Sequence, residues 1–257
     1  MRKQQLILFA GTVPVAISDQ GQGRPFLILH GGAGPGSMSG LAQALSKNGR
    51  AIVPTHPGFD GEPRPPEFAS IDDLALGYLA LIERLDLTDV VVVGNSAGGW
   101  IAAEMALRNS PRIAGLVILN AVGIDPDPAG RPIVDPTVIP PAERSALVFH
   151  DPQRYAIAPA GPDAAAMMAE NQKSLRLYSG DHFMYEPTLR SRLALMPVPA
   201  LVAWGESDRI VDVDYGRRYA DSIAGARFER IAEAGHFPHI EQLDEVVSLV
   251  GRFAGKL

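Results

Sequence analysis

Short, almost wholly apolar runs recur along the chain, separated by longer segments in which polar and apolar residues mix. Runs of this kind, without alternation, are typical of strands buried on both faces of a sheet. The pattern predicts strands at residues 5–9, 13–18, 26–29, 51–54, 90–93, 116–119 and 200–204. The more polar residues 227–231 are interpreted as the last strand.

The segments between these strands predict helices. Ser70 and Asp73 form a capping box, in which each side chain can accept a hydrogen bond from an unpaired backbone N–H. The predicted helices cover about 37–47, 71–85, 100–108, 214–222 and 238–253. Strands that alternate with helices predict an α/β fold, with a mostly parallel sheet covered by helices on both faces.

The alternation stops between residues 123 and 190, where the chain is rich in Pro, Ala and Met. Strand and helix patterns resume after this segment, so we interpret it as an insertion between two strands and not as an independent domain. The predicted organisation is therefore a core formed by residues 1–122 and 191–257, with residues 123–190 as an inserted lid.

Composition limits the classes of function. The chain has 257 residues, of which 46% are hydrophobic and 20% charged, and this suits one large domain. A net charge of −6 and the lack of a basic run oppose nucleic acid or an anionic membrane surface as a partner. The absence of cysteine excludes disulfides, thiolate nucleophiles and cysteine-bound metals.

The N-terminus faintly resembles a signal peptide, since Arg2 and Lys3 precede the apolar residues 6–10. The apolar run is short and has no A-x-A cleavage pattern, so we interpret it as the first strand of a hairpin. No apolar stretch is long enough to span a bilayer. We expect a cytoplasmic protein, either a monomer or a homodimer, that binds a small-molecule substrate.

Residues 94–98, G-N-S-A-G, fit the pattern G-x-S-x-G and lie between a strand of valines and a predicted helix. In that context Ser96 would occupy a tight strand-to-helix turn that exposes its Oγ above the sheet. Glycines on either side avoid collisions with the neighbouring strand and helix. We therefore predict that Ser96 is a catalytic nucleophile.

Residues 30–36, H-G-G-A-G-P-G, follow the strand at 26–29 and predict an oxyanion loop. Acyl transfer needs two N–H donors aimed at the carbonyl oxygen as it becomes negative. Ala97, directly after the nucleophile, would provide one donor, and Gly32 or Ala33 the other. His30 itself is expected to be structural.

A phosphate-binding loop is the alternative for the same residues, because glycines here stand between a strand and a helix. The details do not fit: Ser37 stands where the third glycine of G-x-G-x-x-G should be, and Pro35 lacks an N–H donor. We therefore expect neither a nucleotide cofactor nor a metal.

His236 and Asp208 are the predicted base and acid. Each follows a predicted strand, so the carboxyl edge of a parallel sheet would bring them close to Ser96. His239 is the alternative base and Asp125 the alternative acid. Asp212 and Asp214 are expected to begin the next helix, where carboxylates interact favourably with the helix dipole. The order Ser, Asp, His along the chain is that of a known class of hydrolases.

At these motifs the chain resembles the α/β-hydrolase superfamily, and the resemblance covers nearly its whole length. It implies an α/β-hydrolase fold with an eight-stranded, mostly parallel sheet and a helical lid after the sixth strand, with no cofactor. The loop at 55–59, T-H-P-G-F, is similar to the P-G-x-G-x-S loop of the family but departs from it after Phe59, so we assign it no role.

Serine at residue 96 separates the chain from the dehalogenase and epoxide-hydrolase branches, which resemble it but have aspartate there. Relatives with serine include esterases, lactonases and C–C bond hydrolases. The loop at 30–36 resembles both meta-cleavage C–C hydrolases and proline iminopeptidases, so it does not decide the substrate.

Apolar residues of the predicted lid could line an apolar substrate pocket, or they could only pack the lid against itself. The candidate substrate-binding residues are Asn95, Phe149, Met168, Phe183, Met184 and Phe237.

The favoured function is hydrolysis of a carboxylic ester with an apolar, uncharged substrate, through Ser96, His236 and Asp208. Two alternatives stay open. One is C–C bond hydrolysis of the meta-cleavage type by the same three residues. The other is a non-catalytic ligand-binding receptor on the same fold.

Overall fold

The strands of the protein form a single sheet. The structure, a computed structural model, describes residues 2–127, 129–155 and 161–257. The strands are β1 (Arg2–Leu8), β2 (Val13–Gly21), β3 (Pro25–Leu29), β4 (Arg50–Pro54), β5 (Val90–Asn95), β6 (Ile113–Leu119), β7 (Ala200–Gly205) and β8 (Arg227–Ile231).

The eight strands are ordered β1-β2-β4-β3-β5-β6-β7-β8. β1 and β2 form an antiparallel hairpin that joins the sheet through β4, and the pairs from β4 to β8 are all parallel. The prediction of a mostly parallel, eight-stranded α/β-hydrolase sheet is confirmed. Because β3, β5, β6, β7 and β8 run in the same direction, the loops after their last residues lie at one edge of the sheet.

Helices of the described residues cover both faces of the sheet. They are α1 (Ser39–Leu45), α2 (Ile71–Arg84), α3 (Ala97–Leu107), α4 (Pro141–Val148), α5 (Pro152–Tyr155), α6 (Pro162–Tyr178), α7 (Leu189–Arg192), α8 (Val213–Asp221), α9 (Pro238–Glu241) and α10 (Leu243–Ala254).

Alternate residues of each parallel strand belong to different halves of the core. In β5, Val91 and Val93 pack with α1 and α10, whereas Val90 and Val92 pack with α2, α3 and α8. Side chains on successive strand residues point to opposite faces, so a run of four valines is buried on both sides of the sheet.

Most predicted elements are present, with local differences at three helices. The predicted capping box exists: Ser70 Oγ accepts from Asp73 N–H at 3.1 Å. The helix predicted at 37–47 is a 3₁₀ turn (Pro35–Met38) followed by α1. The helix predicted at 238–253 is divided into α9 and α10, because Gln242 leaves the helical region with φ −127° and ψ 53°. α3 begins at Ala97, directly after Ser96, and not near residue 100.

The segment predicted as a lid lies between β6 and β7. Of residues 123–127, 129–155 and 161–190, none belongs to a strand of the sheet, and most of its regular structure is in α4, α5 and α6. Gly123 is attached to the end of the segment, donating its N–H to Met184 O at 3.0 Å. In the described part of the chain, no helix has both the length and the hydropathy required to cross a membrane.

Candidate active site

Ser96 occupies the turn between β5 and α3, with φ 56° and ψ −123°. Non-glycine residues rarely adopt a positive φ, and such strain concentrates at functional sites. The turn requires its glycines. A Cβ on Gly94 would lie 2.2 Å from Gly98 O, and one on Gly98 would lie 2.2 Å from Leu29 O. The side chain of Ser96 is partly exposed, whereas the residues on both sides of it are buried.

The loop after β3 lies directly against Ser96. A Cβ on Gly31 would be 2.7 Å from Ser96 Cβ and 3.2 Å from Ser96 Oγ, so only glycine allows this approach. The backbone N–H groups of Gly32, Ala33 and Ala97 donate to no acceptor within the described residues. The loop that carries Gly32 and Ala33 thus reaches the nucleophile turn at Gly31, and the described residues leave all three predicted oxyanion donors unpaired.

The His236 ring is hydrogen-bonded to Asp208, with Nδ1 and Oδ2 2.8 Å apart. Both residues are buried. Asp208 Oδ1 also accepts the backbone N–H groups of Ile210 at 2.8 Å and Val211 at 3.2 Å, which orient the carboxylate. Because Nδ1 carries the proton that faces Asp208, the neutral ring has its lone pair on Nε2.

Asn95, which directly precedes Ser96, connects the nucleophile turn to the loop of His236. In the described part of the chain, no hydrogen bond joins Ser96 Oγ to the His236 ring. Asn95 instead donates from Nδ2 to His236 O and to Leu119 O, each at 3.0 Å. Catalytic hydrogen bonds are often long in unliganded enzymes and shorten when substrate binds.

Asn95 has a different environment from the one expected of a substrate-binding residue. Its side chain is fully buried, and Nδ2 holds two backbone carbonyls. Nδ2 therefore holds the loop of His236 next to the nucleophile turn, whereas Oδ1 has no hydrogen-bond partner among the described residues.

Asn120, which follows β6, is a site residue that the sequence analysis missed. Its Nδ2 donates to Asp208 Oδ2 at 2.8 Å, and its Oδ1 accepts Gly205 N–H at 3.1 Å. It is fully buried and has φ 44°. A polar residue directly after an apolar strand, in Leu119-Asn120-Ala121, was the available signal.

Glu241 is a second residue that was missed, and it lies in α9. Its Oε2 accepts Gly235 N–H at 2.6 Å, and its Oε1 accepts the N–H groups of His150 at 2.9 Å and Asp151 at 3.0 Å. One buried carboxylate thus joins the loop of His236 to the predicted lid. His236 N–H also donates to Val148 O at 2.7 Å, next to the same lid residues.

Two of the predicted substrate-binding residues are close to His236. The Phe237 ring lies 5.3 Å from the His236 ring and 5.6 Å from the Phe149 ring, measured between centroids. Tyr155 extends this group, with its ring 6.4 Å from that of Phe149. The result is an aromatic surface beside the predicted base.

Three other candidates from the predicted lid make no hydrogen bond or ring contact with Ser96 or His236 within the described residues. Met168 is 39% exposed on α6. Phe183 is partly buried, with the Arg176 guanidinium 5.1 Å from its ring centroid, and Met184 is buried in the core. Leu175 was not predicted, yet its Cδ2 lies 2.6 Å from where a Cβ on Gly32 would be.

The alternative acid and base do not form a pair beside Ser96. Asp125 forms an ion pair with Arg190 at 2.8 Å. His239 is buried in α9, and burial lowers its pKa to about 3, so it stays neutral at physiological pH. Asp212 caps α8 by accepting Tyr215 N–H, as expected. Of the candidates, only Asp208 and His236 form an acid–base pair at the edge that carries Ser96.

An opening of the surface lies away from these residues. A cavity of about 990 Å³ is bordered by α2, α3 and residues 178–195, and its lining includes Trp100, Glu104 and Arg192 but not Ser96, Asp208 or His236. Glu104 is paired there with Arg192 at 2.6 Å and Arg108 at 3.1 Å. In residues 2–127, 129–155 and 161–257, no group of three His, Asp or Glu side chains is arranged to hold a metal ion.

A family model described as the Alpha/beta hydrolase family matches residues 26–249 of the chain. A 2-hydroxymuconate semialdehyde hydrolase of Pseudomonas sp. (strain CF600) is 25% identical, over 96% of this chain and 92% of the relative.

Solved structures give the same fold. A meta-cleavage product hydrolase from Pseudomonas fluorescens IP01 has a TM-score of 0.80 at 24% identity, covering 98% of this chain and 97% of that one. An esterase from Exiguobacterium antarcticum has a TM-score of 0.78 at 20% identity, covering 99% and 100%. At these identities, the structural likeness shows the fold alone.

Proposed function

The chain belongs to the α/β-hydrolase family, and from this premise we propose that it is a serine hydrolase that cleaves carboxylic esters through an acyl-enzyme. The observation that carries the proposal is the hydrogen bond between His236 and Asp208, 2.8 Å long, at the edge of the sheet where Ser96 is held at φ 56°. A nucleophile, a base and an orienting acid are the groups that this chemistry requires.

In the proposed first step, Ser96 Oγ attacks the ester carbonyl carbon while His236 Nε2 takes the hydroxyl proton. The carbonyl oxygen becomes negative, and the unpaired N–H groups of Ala97 and of Gly32 or Ala33 stabilise it. The imidazolium then gives its proton to the leaving alcohol, which departs and leaves the acyl group on Ser96.

In the second step, His236 takes a proton from water, and the resulting hydroxide attacks the acyl carbon. The acid product leaves with the proton returned to Ser96 Oγ. Asp208 keeps the Nδ1 proton in place throughout, so that Nε2 faces the serine, and it stabilises the imidazolium.

The aromatic group beside His236 supports a substrate whose acyl or alcohol portion is apolar and uncharged. Phe237, Phe149 and Tyr155 form it, and Leu175 adds an apolar side chain next to Gly32. We propose that residues 123–190 act as a lid, because two of these aromatic residues and Leu175 come from that segment.

A second candidate is C–C bond hydrolysis of a meta-cleavage product. It is supported by the relative named as a 2-hydroxymuconate semialdehyde hydrolase, which the chain matches over almost its whole length. The same three residues would serve, with a carbon leaving group protonated in place of an alcohol.

Both candidates can be tested on the purified protein. We expect p-nitrophenyl esters of short fatty acids to be hydrolysed, and Ser96→Ala to lose at least 10³-fold in kcat/KM. Turnover of a 2-hydroxy-6-oxo-dienoate with little esterase activity would favour the C–C hydrolase. A Ser96→Ala variant as active as the parent would refute the serine mechanism for either substrate.

A further inference from the structure

The loop after β4, for which the sequence indicates no role, packs against His30 at the start of the predicted oxyanion loop. His56 stacks on His30, with ring centroids 3.6 Å apart, and its Nδ1 is hydrogen-bonded to the hydroxyl of Tyr78 on α2. All three side chains are buried. Three buried polar side chains in contact with each other form a network whose protons must be arranged in a definite way.

The hydrogen bonds define the tautomer of both rings. His30 Nε2 accepts His56 N–H at 3.1 Å, so the proton of the neutral His30 ring is on Nδ1, which lies 2.7 Å from Gly31 O. His56 Nε2 lies 2.8 Å from His30 O, an atom that only accepts, so the proton of the His56 ring is on Nε2. His56 Nδ1 is then an acceptor, and the Tyr78 hydroxyl donates to it.

Burial supports the neutral form of both rings. It lowers the pKa of His30 to about 4 and that of His56 well below 6.5. Neutral rings with one proton each satisfy every polar atom described above, so Tyr78, His56 and His30 form a continuous chain of donors that ends on two backbone carbonyls, His30 O and Gly31 O.

These two carbonyls belong to the peptide planes that enter the oxyanion loop. A peptide bond is planar and trans, so the N–H of a residue points opposite to the carbonyl of the residue before it. Gly31 O is held by His30 Nδ1–H at 2.7 Å and by Gly34 N–H at 3.2 Å. The direction of Gly32 N–H is thereby fixed, and Gly31 itself lies against Ser96 Oγ.

The loop after β4 and the predicted oxyanion loop are both attached to α6 of the predicted lid. Ser174 Oγ donates to Gly58 O at 2.6 Å, Tyr178 donates to Pro57 O at 2.9 Å, and Gln172 donates to Gly32 O at 3.1 Å. The two peptides that flank Gly32 are therefore held by different elements: His30 binds the carbonyl of Gly31, and Gln172 of α6 binds the carbonyl of Gly32.

We propose that His56 and Tyr78 are positioning residues, which act through His30 to aim the Gly32 N–H at the oxyanion formed on substrate attached to Ser96. The proposal rests on the proposed serine hydrolase function. Neither residue touches the reacting atoms. Their effect should be confined to the transition state, because an N–H that is slightly misdirected stabilises developing negative charge poorly while it changes ground-state binding little.

The test compares Tyr78→Phe with Tyr219→Phe, using p-nitrophenyl butyrate as substrate and phenylboronic acid as a tetrahedral anionic inhibitor. Tyr78→Phe removes only the hydroxyl that donates to His56. Tyr219 is a matched control, because it is equally buried and its hydroxyl has no partner among the described residues. We expect Tyr78→Phe to lower kcat by roughly tenfold or more with KM changed less than twofold. The inhibition constant of the boronate should rise by a similar factor.

A second pair of variants isolates the hydrogen bond to His30 O. His56→Gln retains an N–H donor at about the position of Nε2, whereas His56→Leu has none, so the glutamine variant should keep the larger kcat. Nitrogen NMR of the folded parent should show His30 protonated on Nδ1 and His56 on Nε2. This measurement requires no activity, so it tests the network even where a variant folds poorly.

The proposal is overturned if Tyr78→Phe matches Tyr219→Phe in kcat and boronate inhibition, or if NMR finds the opposite tautomers. These results would leave the hydrolase assignment intact, since Ser96→Ala would still be inactive. Activity of Ser96→Ala equal to the parent would remove the hydrolase assignment instead, whatever the tautomers.

Discussion

Replacing Glu241 with glutamine should loosen the loop that carries His236, because a buried carboxylate there serves three backbone donors at once. Oε2 accepts Gly235 N–H at 2.6 Å, and Oε1 accepts the N–H groups of His150 and Asp151. Glutamine has nearly the same shape but only one acceptor oxygen. Whichever way the amide turns, at least one N–H faces an NH₂ group.

The cost follows from the number and type of bonds lost. A hydrogen bond to a charged group contributes roughly 1.5–3 kcal/mol, and a buried donor left unpaired costs about 1–3 kcal/mol. These terms overlap, so we expect the free energy of unfolding to fall by about 3 kcal/mol. In a domain of this size that lowers Tm by roughly 6–12 °C. The value of kcat should fall too, because Gly235 directly precedes His236.

Urea unfolding and ester hydrolysis measure the two effects. Glu83→Gln is the matched control, because Glu83 is 60% exposed in an ion pair with Arg112 of 2.8 Å. Such surface pairs contribute little, and the control should stay within about 0.5 kcal/mol of the parent. The reasoning is refuted if both glutamine variants unfold at the same urea concentration.

Three further predictions concern the site and its support. Burial lowers the pKa of His30 to about 4 from its ordinary 6.5, so the unfolded chain binds a proton at a higher pH than the folded chain does. The free energy of unfolding should therefore fall as the pH drops below about 6.5, by roughly 2 kcal/mol at pH 5 from this ring alone. Urea unfolding measured across this range would contradict the prediction if the free energy stayed constant. Asn120→Gly, which tolerates φ 44°, removes a donor to Asp208 and should lower kcat roughly tenfold in the ester assay with the fold retained; unchanged kcat would exclude a role in positioning. Gly98→Ala places a Cβ 2.2 Å from Leu29 O and should abolish labelling of Ser96 by a fluorophosphonate, whereas Gly36→Ala, with open space around it, should label like the parent.

The sequence predicted the elements whose signals are local. Strands β3 and β7 lie within one residue of the bounds predicted for them, 26–29 and 200–204, because buried parallel strands are short apolar runs flanked by turn residues. The placement of Ser96, Asp208 and His236 at one edge of the sheet was predictable for a related reason: each follows a strand, and the ends of parallel strands meet at one edge.

The residues that support this site were not predictable, because their partners are distant in sequence. Asn120 contacts Asp208 from 88 residues away, and Glu241 contacts His150 from 91. An acidic residue in the first turn of a helix is already explained by its favourable interaction with the helix dipole. The sequence therefore offered no reason to expect that Glu241 also accepts three backbone N–H groups. Asn95 was predicted to contact substrate, whereas tertiary packing turns its amide toward two backbone carbonyls.

The backbone conformation of Ser96 lowers the stability of the fold at the residue proposed to carry its activity. A residue with a Cβ at φ 56° and ψ −123° raises the free energy of the folded state by about 1–3 kcal/mol relative to glycine, which accepts this region readily. A lineage of this chain released from selection for hydrolysis would therefore gain thermal tolerance by exchanging serine for glycine with a single codon change. Ser96 is nevertheless present at this position. Its presence favours a history of continuous selection for turnover over one in which the fold served as a non-catalytic receptor.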